Sequence, residues 1–257
     1  MAGLARYMAV LRLFSEGMPT WTVAEMADAL QVPQSTAYRT VRDLLSEGLV
    51  EMSSEARYRL GPAFIEFDRL TRLTDPLMQA GADVLRALVQ EAGVPGVALL
   101  CRLYGGEVMC IADHVSPEAS FSPSYERGKP MPLTQGATSK AILARLPAKR
   151  LSKLIGADAV ETMRAELAAI RRAGFCLGRG EIDEGLAGIA VPIVCEPEGL
   201  VASLSLVVES HRLAGAREER LRHLVMSAAH EIENLLNHDH QARGPVLPSG
   251  EAVGGAD

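Results

Sequence analysis

The stretch TVAEMADALQVPQSTAYRTVRDLLSEGLVEMSSEARYRL, residues 22–60, decides the fold of the N-terminal part of this chain. Its pattern predicts a helix, a two-residue turn, a second helix and a β-hairpin. Thr22 and Glu25 have the spacing of a capping box, so the first helix should begin there. Pro33 suits the start of the second helix, because the N–H that proline lacks would have no partner there. This order is typical of a winged helix-turn-helix, which makes duplex DNA the first partner to consider.

The second helix, over about residues 33–47, is amphipathic, with an apolar inner face at Ala37, Val41, Leu44 and Leu45. The opposite face presents hydroxyl and guanidinium groups, and its N-terminal half carries no carboxylate. Such groups reach base edges and phosphates in a major groove. We therefore predict major-groove contacts from Gln34, Ser35, Thr36 and Arg39, with contacts to the DNA backbone from Tyr38 and Arg42.

Residues 49–52 and 57–60 alternate like two short strands around a turn, which would form the wing. Arg57 and Arg59 fall on one face of the second strand and are predicted to meet backbone phosphates or the minor groove. An amphipathic three-helix cluster can also serve as a protein-docking module, and an arginine-bearing face can simply be solvated. The wing and the acid-free half of the helix face favour DNA over these alternatives.

An upstream helix completes this N-terminal module. Tyr7, Val10, Leu11 and Phe14 share one helical face, and Gly17 to Pro19 should end it. The first 75 residues hold eight Arg and no Lys against ten Asp plus Glu, and the whole chain carries a net charge of −6. Non-specific electrostatic binding to the phosphate backbone is therefore not expected. DNA binding would rest on locally placed arginines, backbone N–H groups and shape, multiplied by oligomerisation.

The composition is that of a globular protein of up to two domains: 257 residues, 48 % hydrophobic and 23 % charged. No apolar run approaches the ~20 residues of a membrane span, and the N-terminus lacks the pattern of a secretory signal. The four cysteines are widely spaced, without a Cys-x-x-Cys pair. We therefore expect buried thiols in a reducing cytoplasm, rather than disulfides or a zinc site.

A second, larger domain follows a predicted connecting helix over residues 62–75. Helical segments alternate there with two antiparallel strand pairs, the first turning at Gly105-Gly106 and the second around Pro197 and Gly199. This order predicts an α+β domain with a central antiparallel sheet. The predicted helices cover residues 76–92, 136–146, 162–173 and a long segment ending near 237; the predicted loops are 116–132 and 176–182, and 239–257 is a predicted disordered tail.

Five segments resemble, in the same order, the IclR family of bacterial transcriptional regulators over about residues 4–237. The resemblance implies a winged helix-turn-helix over 1–61, a linker helix over 62–75, and a GAF-like effector-binding and oligomerisation domain over 76–238. The matched segments are VPQSTAYR (32–39, the recognition helix), YRLG (58–61, the return strand of the wing), GATSKA (136–141, a small-residue motif), IRRAGF (170–175) and GIAVPI (188–193).

The resemblance also implies where the effector binds. The chain departs from the family pattern in several places: Ser139 stands where glycine is usual, Gln34 where lysine is frequent, and Val207 where some relatives have a hydroxyl. The loop over 176–182 lacks the usual acidic start. These departures bear on the ligand and not on the architecture. Carried over by motif, the effector-binding residues are Ala137, Thr138, Leu186, Gly188, Ser205 and Val207.

A physical argument supports that pocket independently. Residues 136–139 are small and lie at a predicted helix start, where free N–H groups and the positive end of the helix dipole favour an anion. Small side chains let a ligand approach the backbone closely, and Ser205 can add a hydroxyl. We therefore hypothesise a small organic carboxylate or aromatic catabolic metabolite as effector. The alternative is that these residues only permit tight packing of the helix on the sheet.

Catalytic and metal sites find little support in the sequence. It lacks a Gly-x-Ser-x-Gly elbow, a phosphate loop and a His-Glu-x-x-His motif. Cys110 and His114 would share a strand face but lie too far apart to touch. His223, His230 and His238 are two helical turns apart and cannot chelate one ion. We expect no catalytic residue, no metal site and no cofactor.

The sequence thus predicts a cytoplasmic, ligand-responsive transcription factor that binds a palindromic operator as a homodimer or homotetramer. Two other classes remain open: a GAF-like enzyme with a vestigial N-terminal module, and a protein-interaction adaptor that does not bind DNA. The sequence does not reveal whether the regulated operon would be repressed or activated.

Overall fold

The computed structural model describes residues 3–243 of the chain, which form two compact units that divide between Thr74 and Asp75. No helix between residues 3 and 243 is both long and apolar enough to cross a membrane. All four cysteines are buried and none forms a disulfide within the described residues, as the sequence predicted.

The N-terminal unit is a three-helix cluster with a two-stranded wing. Its core is built from Val10, Met26, Val41, Leu44 and Val50, each almost completely buried. The two wing strands pair antiparallel, so the predicted winged helix-turn-helix is confirmed. The elements are α1 (Leu4–Leu11), α2 (Val23–Leu30), α3 (Gln34–Ser46), β1 (Val50–Met52), β2 (Tyr58–Leu60) and α4 (Ala63–Thr74).

The start of α2 follows the predicted capping box. The Glu25 N–H donates to the Thr22 side chain, while the Thr22 N–H donates to the Glu25 carboxylate. Helix α1, in contrast, ends at Leu11, earlier than predicted. The indole N–H of Trp21 donates to the carbonyls of Leu13 and Met18, so the intervening chain folds into a turn against Trp21 instead of continuing the helix.

The inner face of α3 differs from the prediction at two positions. Leu45 was predicted to face inward, yet it is 38 % exposed, whereas Thr40 is completely buried. Thr40 lies three residues after Ala37 and four before Leu44, which places it on the same face. Its hydroxyl donates to the Thr36 carbonyl at 2.9 Å, so this polar side chain is buried with its hydrogen bond satisfied.

The second unit is an α+β structure around one six-stranded antiparallel sheet, which confirms the predicted class. The strand order is β5-β4-β3-β8-β7-β6. Its elements are α5 (Pro76–Ala92), β3 (Gly96–Tyr104), β4 (Glu107–Val115), β5 (Pro130–Met131), α6 (Ala137–Arg145), α7 (Ala148–Ile155), α8 (Ala157–Ala173), β6 (Cys176–Arg179), β7 (Leu186–Cys195), β8 (Leu200–Glu209) and α9 (Gly215–Arg243).

Helices cover both faces of this sheet. Along β8, residues 202, 204, 206 and 208 belong to the core formed with α5 and α9. Val207 belongs to the opposite core, formed with α6 and α8. This alternation is the two-residue period of a strand buried on both sides, and it turns Ser203, Ser205 and Val207 toward α6.

Several predicted boundaries were wrong. Residues 176–179, predicted as part of a loop, form the edge strand β6 on β7. The sequence also did not indicate α7, and α8 begins at Ala157, five residues before the predicted start. Helix α9 continues to Arg243, so the predicted tail at 239–257 begins inside a helix. Residues 244–257 lie outside the described part of the chain.

Candidate functional site

The predicted DNA contacts gather around the N-terminal half of α3. The α3 surface is a concave patch formed by Gln34, Ser35, Tyr38, Arg39 and Arg42 of α3 with Val23 and Ala24 of α2. The two α2 residues were not indicated by the sequence argument. The helix-turn-helix turn makes the patch possible: Gln31 takes a left-handed conformation, and its N–H caps α2 just before α3 begins.

The polar groups of the α3 surface are largely exposed. Tyr38 is 57 % exposed, and the side chain of Arg42 is 65 % exposed beside Asp43. The guanidinium of Arg39 donates to the carbonyl of Ser35, one helical turn earlier, at 3.3 Å. Thr36 is half-buried and is not among the residues that line the patch, and its carbonyl accepts from the hydroxyl of the buried Thr40.

The two wing arginines have internal partners. Arg57 donates to the hydroxyl and carbonyl of Thr20 and to both carboxylate oxygens of Glu25. Arg59 donates to Glu51 across the wing at 2.7 Å. Because Glu25 also belongs to the capping box of α2, Arg57 ties the wing to the start of that helix. No local pattern indicated this pairing, since the partners are 32 residues apart.

The second unit contains the predicted effector cleft at the start of α6. Five of the six predicted residues line it; Ser205 is completely buried instead, and its hydroxyl lies 2.9 Å from that of Thr138. The cavity measures about 40 Å³, or about 390 Å³ when its open mouth is included. The lining residues are Pro123, Tyr125, Gly136, Ala137, Thr138, Gly178, Gly180, Glu181, Ile182, Asp183, Leu186, Ala187, Gly188 and Val207.

Two glycines allow the close packing around this helix start. Gly136 has φ +78°, and a Cβ there would lie 2.9 Å from the Tyr125 hydroxyl and from Ile182. A Cβ on Gly178, in strand β6, would lie 3.1 Å from Glu181 and 3.3 Å from the Ala137 nitrogen. Larger side chains at either position would push apart the strand, the loop and the helix that form the cleft.

The anion site predicted at this helix start is already occupied by a carboxylate of the protein. Oε2 of Glu181 accepts from the Gly136 N–H at 3.2 Å and lies 2.7 Å from Nζ of Lys140. Lys140 also contacts Glu166 at 2.7 Å. Although burial lowers the pKa of Lys140, these two carboxylates outweigh it and leave the pKa above its usual value. The ammonium is therefore charged at neutral pH.

The remaining polar groups of the cleft are also hydrogen-bonded. Asp183 accepts from the N–H of Ser124 at 2.9 Å and from its hydroxyl at 2.5 Å. The Tyr125 hydroxyl lies 2.8 Å from that of Ser139, which itself donates to the Pro132 carbonyl. Burial raises the pKa of Tyr125 to about 12, so this hydroxyl stays protonated at neutral pH. The lining, all within the described residues, contains no Lys, Arg or His.

A winged helix-turn-helix followed by an α+β unit with a cleft beside a helix start defines a two-domain, DNA-binding regulator. Family models support this class over most of the chain: an IclR helix-turn-helix domain matches residues 3–53, and the bacterial transcriptional regulator IclR C-terminal domain matches residues 76–234. The chain belongs to the IclR family of transcriptional regulators, which is a family of DNA-binding regulators with an effector-binding domain and not of enzymes.

Individual members of the family are similar to this chain over most of its length. The regulator KipR of Bacillus subtilis is 23 % identical over 91 % of this chain and 97 % of its own. The Pca regulon regulatory protein of Pseudomonas putida is 23 % identical over 90 % of this chain and 83 % of its own. An IclR homolog from Microbacterium hydrocarbonoxydans, solved in complex with 4-hydroxybenzoate, superposes with a TM-score of 0.75 at 24 % identity, covering 91 % of this chain and 99 % of the other.

Proposed function

We propose that this regulator senses a small organic acid and controls a neighbouring metabolic operon through a palindromic operator. The observation that carries the proposal is the α3 surface, where arginine, hydroxyl and amide groups are exposed together on one concave patch. Polar groups that are buried normally form hydrogen bonds with one another. Donors that are exposed together on a helix are instead accessible to an external partner that is rich in acceptors. Duplex DNA has that chemistry.

Contacts to DNA divide by position on this surface. Gln34, Ser35 and Arg39 lie in the first turns of α3 and would reach base edges, with Thr36 beside them. Tyr38 and Arg42 would hold the phosphate backbone, and Arg59 would add a phosphate contact by leaving Glu51, because exposed ion pairs are weak. Arg57, with four internal hydrogen bonds, would position the wing instead of contacting phosphate.

The effector class is an organic carboxylate with a small apolar body, such as an aromatic catabolic intermediate. The cleft offers apolar walls at Pro123, Leu186 and Val207 together with a helix start that already holds a carboxylate. The ligand of the Microbacterium homolog and the Pca regulon protein's place among the relatives support the same class. Ala137, Thr138 and Gly188 would contact the ligand directly, whereas Ser205 would act through Thr138.

A second copy of the chain would complete the functional unit. Helix α4 exposes five large apolar side chains in the N-terminal unit, and a patch of this kind marks an interaction surface. A homodimer, alone or within a homotetramer, would match the two-fold symmetry of a palindromic operator in the cytoplasm. The exposed residues are Phe64, Ile65, Phe67, Leu70 and Leu73.

Gel retardation of the protein's own upstream promoter tests the DNA-binding half of this proposal. The wild type should retard the fragment at low salt, and Arg39→Ala should weaken binding by about 1–3 kcal/mol. Arg164→Ala, which removes an exposed arginine from α8, is the matched control and should bind like the wild type. A protein-interaction adaptor would be indifferent to Arg39→Ala. Failure of the wild type to retard the fragment, with or without metabolites, would overturn the proposal.

A further inference from the structure

Three consecutive residues close the effector cleft from one side. This flap, Glu181 to Asp183, follows β6 and is tied down at both ends. Glu181 bonds the start of α6 through Gly136 and Lys140, and Asp183 bonds Ser124 on the facing segment. Ile182, between them, packs over Gly136. The flap is therefore held by two carboxylates, one on each side of an apolar side chain.

The closed cleft is too small for the ligand class proposed above. Its cavity of about 40 Å³ has room for a few water molecules. For comparison, a protein cavity of about 150 Å³ is known to enclose one benzene ring. A ring-sized effector that is enclosed in the cleft, with its carboxylate at the start of α6, therefore requires that the flap move, and moving the flap breaks the contacts of Glu181.

The contacts that Glu181 would lose define what can replace it. The Gly136 N–H lies at the positive end of α6, and the Lys140 ammonium is 11 % exposed. Lys140 keeps Glu166 as a partner. Without Glu181, however, the second donor of Lys140 and the N–H of Gly136 would have no acceptor. A neutral ligand would leave both donors without a carboxylate acceptor, whereas the carboxylate of an acidic ligand would accept from both.

We propose that Glu181 is a built-in competitor for the effector's acidic group. In the ligand-free protein its carboxylate occupies the start of α6; the effector's carboxylate takes that place and releases the flap. The idea rests on the proposed effector cleft and deepens it. Glu181 is then a specificity-determining residue, because it selects ligands whose acidic group binds more favourably than its own side chain. The apparent affinity is reduced by the fraction of protein in which Glu181 holds the site.

Isothermal titration with a matched pair of probes tests this competition. The probes are 4-hydroxybenzoate and its neutral isostere 4-hydroxybenzamide, titrated into full-length wild type, Glu181→Ala, Glu181→Gln and Asp183→Asn. Glu181→Ala should bind the acid about tenfold more tightly than the wild type and leave the amide unchanged. Glu181→Gln keeps the size of the side chain and should show the same preference more weakly. Thermal unfolding checks that each variant is folded.

Asp183→Asn separates competition from simple loosening of the flap. It weakens the other tie without vacating the start of α6, so it should change binding of the acid and the amide by the same factor. The competitor role is overturned if Glu181→Ala shifts both probes equally, if it weakens the acid, or if it binds neither probe at about 10 mM.

A second substitution distinguishes this failure from failure of the proposed cleft. In the Glu181→Ala background, Thr138→Trp should abolish binding of 4-hydroxybenzoate by filling the cleft. If the double variant still binds the acid, the ligand lies elsewhere and the cleft itself is wrong. If binding is lost but Glu181→Ala does not discriminate acid from amide, the cleft stands and the competitor role falls.

Discussion

The polar groups of the α3 surface are largely exposed, whereas those of the effector cleft are hydrogen-bonded to other groups of the protein. On the α3 surface the guanidinium of Arg42 is mostly exposed, and that of Arg39 bonds a carbonyl of its own helix. In the cleft Glu181, Asp183 and Tyr125 are already bonded to protein groups. A partner of the first surface adds contacts to the molecule, whereas a ligand of the cleft exchanges one set of contacts for another. DNA affinity should therefore depend steeply on salt, and effector affinity on the contacts that are lost.

The largest effect is expected where the cleft is filled. Thr138→Trp should weaken effector binding at least about a hundredfold, equivalent to about 2.7 kcal/mol, because the indole occupies the space beside Leu186 and Val207. DNA binding by the effector-free protein should not change. Titration calorimetry and gel retardation measure the two properties, and Thr138→Ser, which keeps the hydroxyl near Ser205, is the control. Equal ligand binding by the two variants would place the effector outside this cleft.

The next effect separates the arginines of the N-terminal unit. Arg42→Ala should reduce the slope of log affinity against log salt by about 1, as expected for a lost phosphate contact, whereas Arg39→Ala should weaken binding by about 1–3 kcal/mol, as expected for a lost base contact. Arg57→Ala should leave the slope unchanged and lower the stability of the wing, because its hydrogen bonds go to Thr20 and Glu25. Fluorescence anisotropy on operator DNA at several salt concentrations provides the slopes. Unchanged operator affinity for Arg39→Ala would remove it from the interface.

Local spacing allowed part of this picture to be predicted from the sequence. The capping box needs only Thr22 and Glu25, three residues apart, and the outer face of α3 follows from helical periodicity. Five of six effector residues came from motifs whose resemblance fixes their place in the fold. The sequence did not indicate that Thr138 covers Ser205, because strand alternation predicts which side of the sheet a residue faces but not what lies over it.

The missed features depend on contacts between distant parts of the chain. Glu181 and Gly136 are 45 residues apart, and no local pattern marks a carboxylate as the partner of a helix start. Strand β6 has four residues and a glycine at its centre, so its identity comes from pairing with β7 and not from its own propensity. Hydrophobic periodicity predicts where helices and strands form. The contact of Glu181 with Gly136 and the pairing of β6 with β7 form only when those helices and strands pack together.

A smaller effect concerns the pH dependence of the wing. The hydrogen bond from the Thr22 backbone, together with Arg57, holds the pKa of Glu25 below its usual value of 4.5. A lowered pKa in the folded state gives a stabilisation that is present above the unfolded pKa and lost as pH falls through the folded one. The N-terminal unit should therefore lose stability below about pH 4.5.

Trp21, the chain's single tryptophan, reports this unfolding selectively, because it lies in the N-terminal unit and pairs with Tyr58 of the wing. Glu25→Gln should flatten the dependence of its fluorescence-detected melting temperature on pH. Glu55→Gln, at the exposed turn of the wing, is the matched control and should follow the wild type. If the two variants behave alike, Glu25 does not link the wing to α2.

The smallest effect tests the departure from the family pattern at position 139. Ser139→Ala should destabilise the second unit by about 1 kcal/mol, because it removes hydrogen bonds to Tyr125 and Pro132. Tyr125→Phe should cost a similar amount, and the double variant should cost less than the sum if the two hydroxyls are coupled. Chemical denaturation followed by far-ultraviolet circular dichroism measures the cycle. Strict additivity would show that the pair does not act together.

Hydrogen–deuterium exchange on the full-length protein tests most directly whether the α3 surface gains contacts when DNA binds. It also tests whether the cleft exchanges the Glu181 carboxylate for the carboxylate of its ligand. Operator DNA should slow exchange within residues 34–42 of α3, and 4-hydroxybenzoate should speed exchange in the flap at 181–183 as Glu181 is displaced. Unchanged exchange in α3 with DNA bound would contradict the account, as would a flap that becomes more protected when the acid binds.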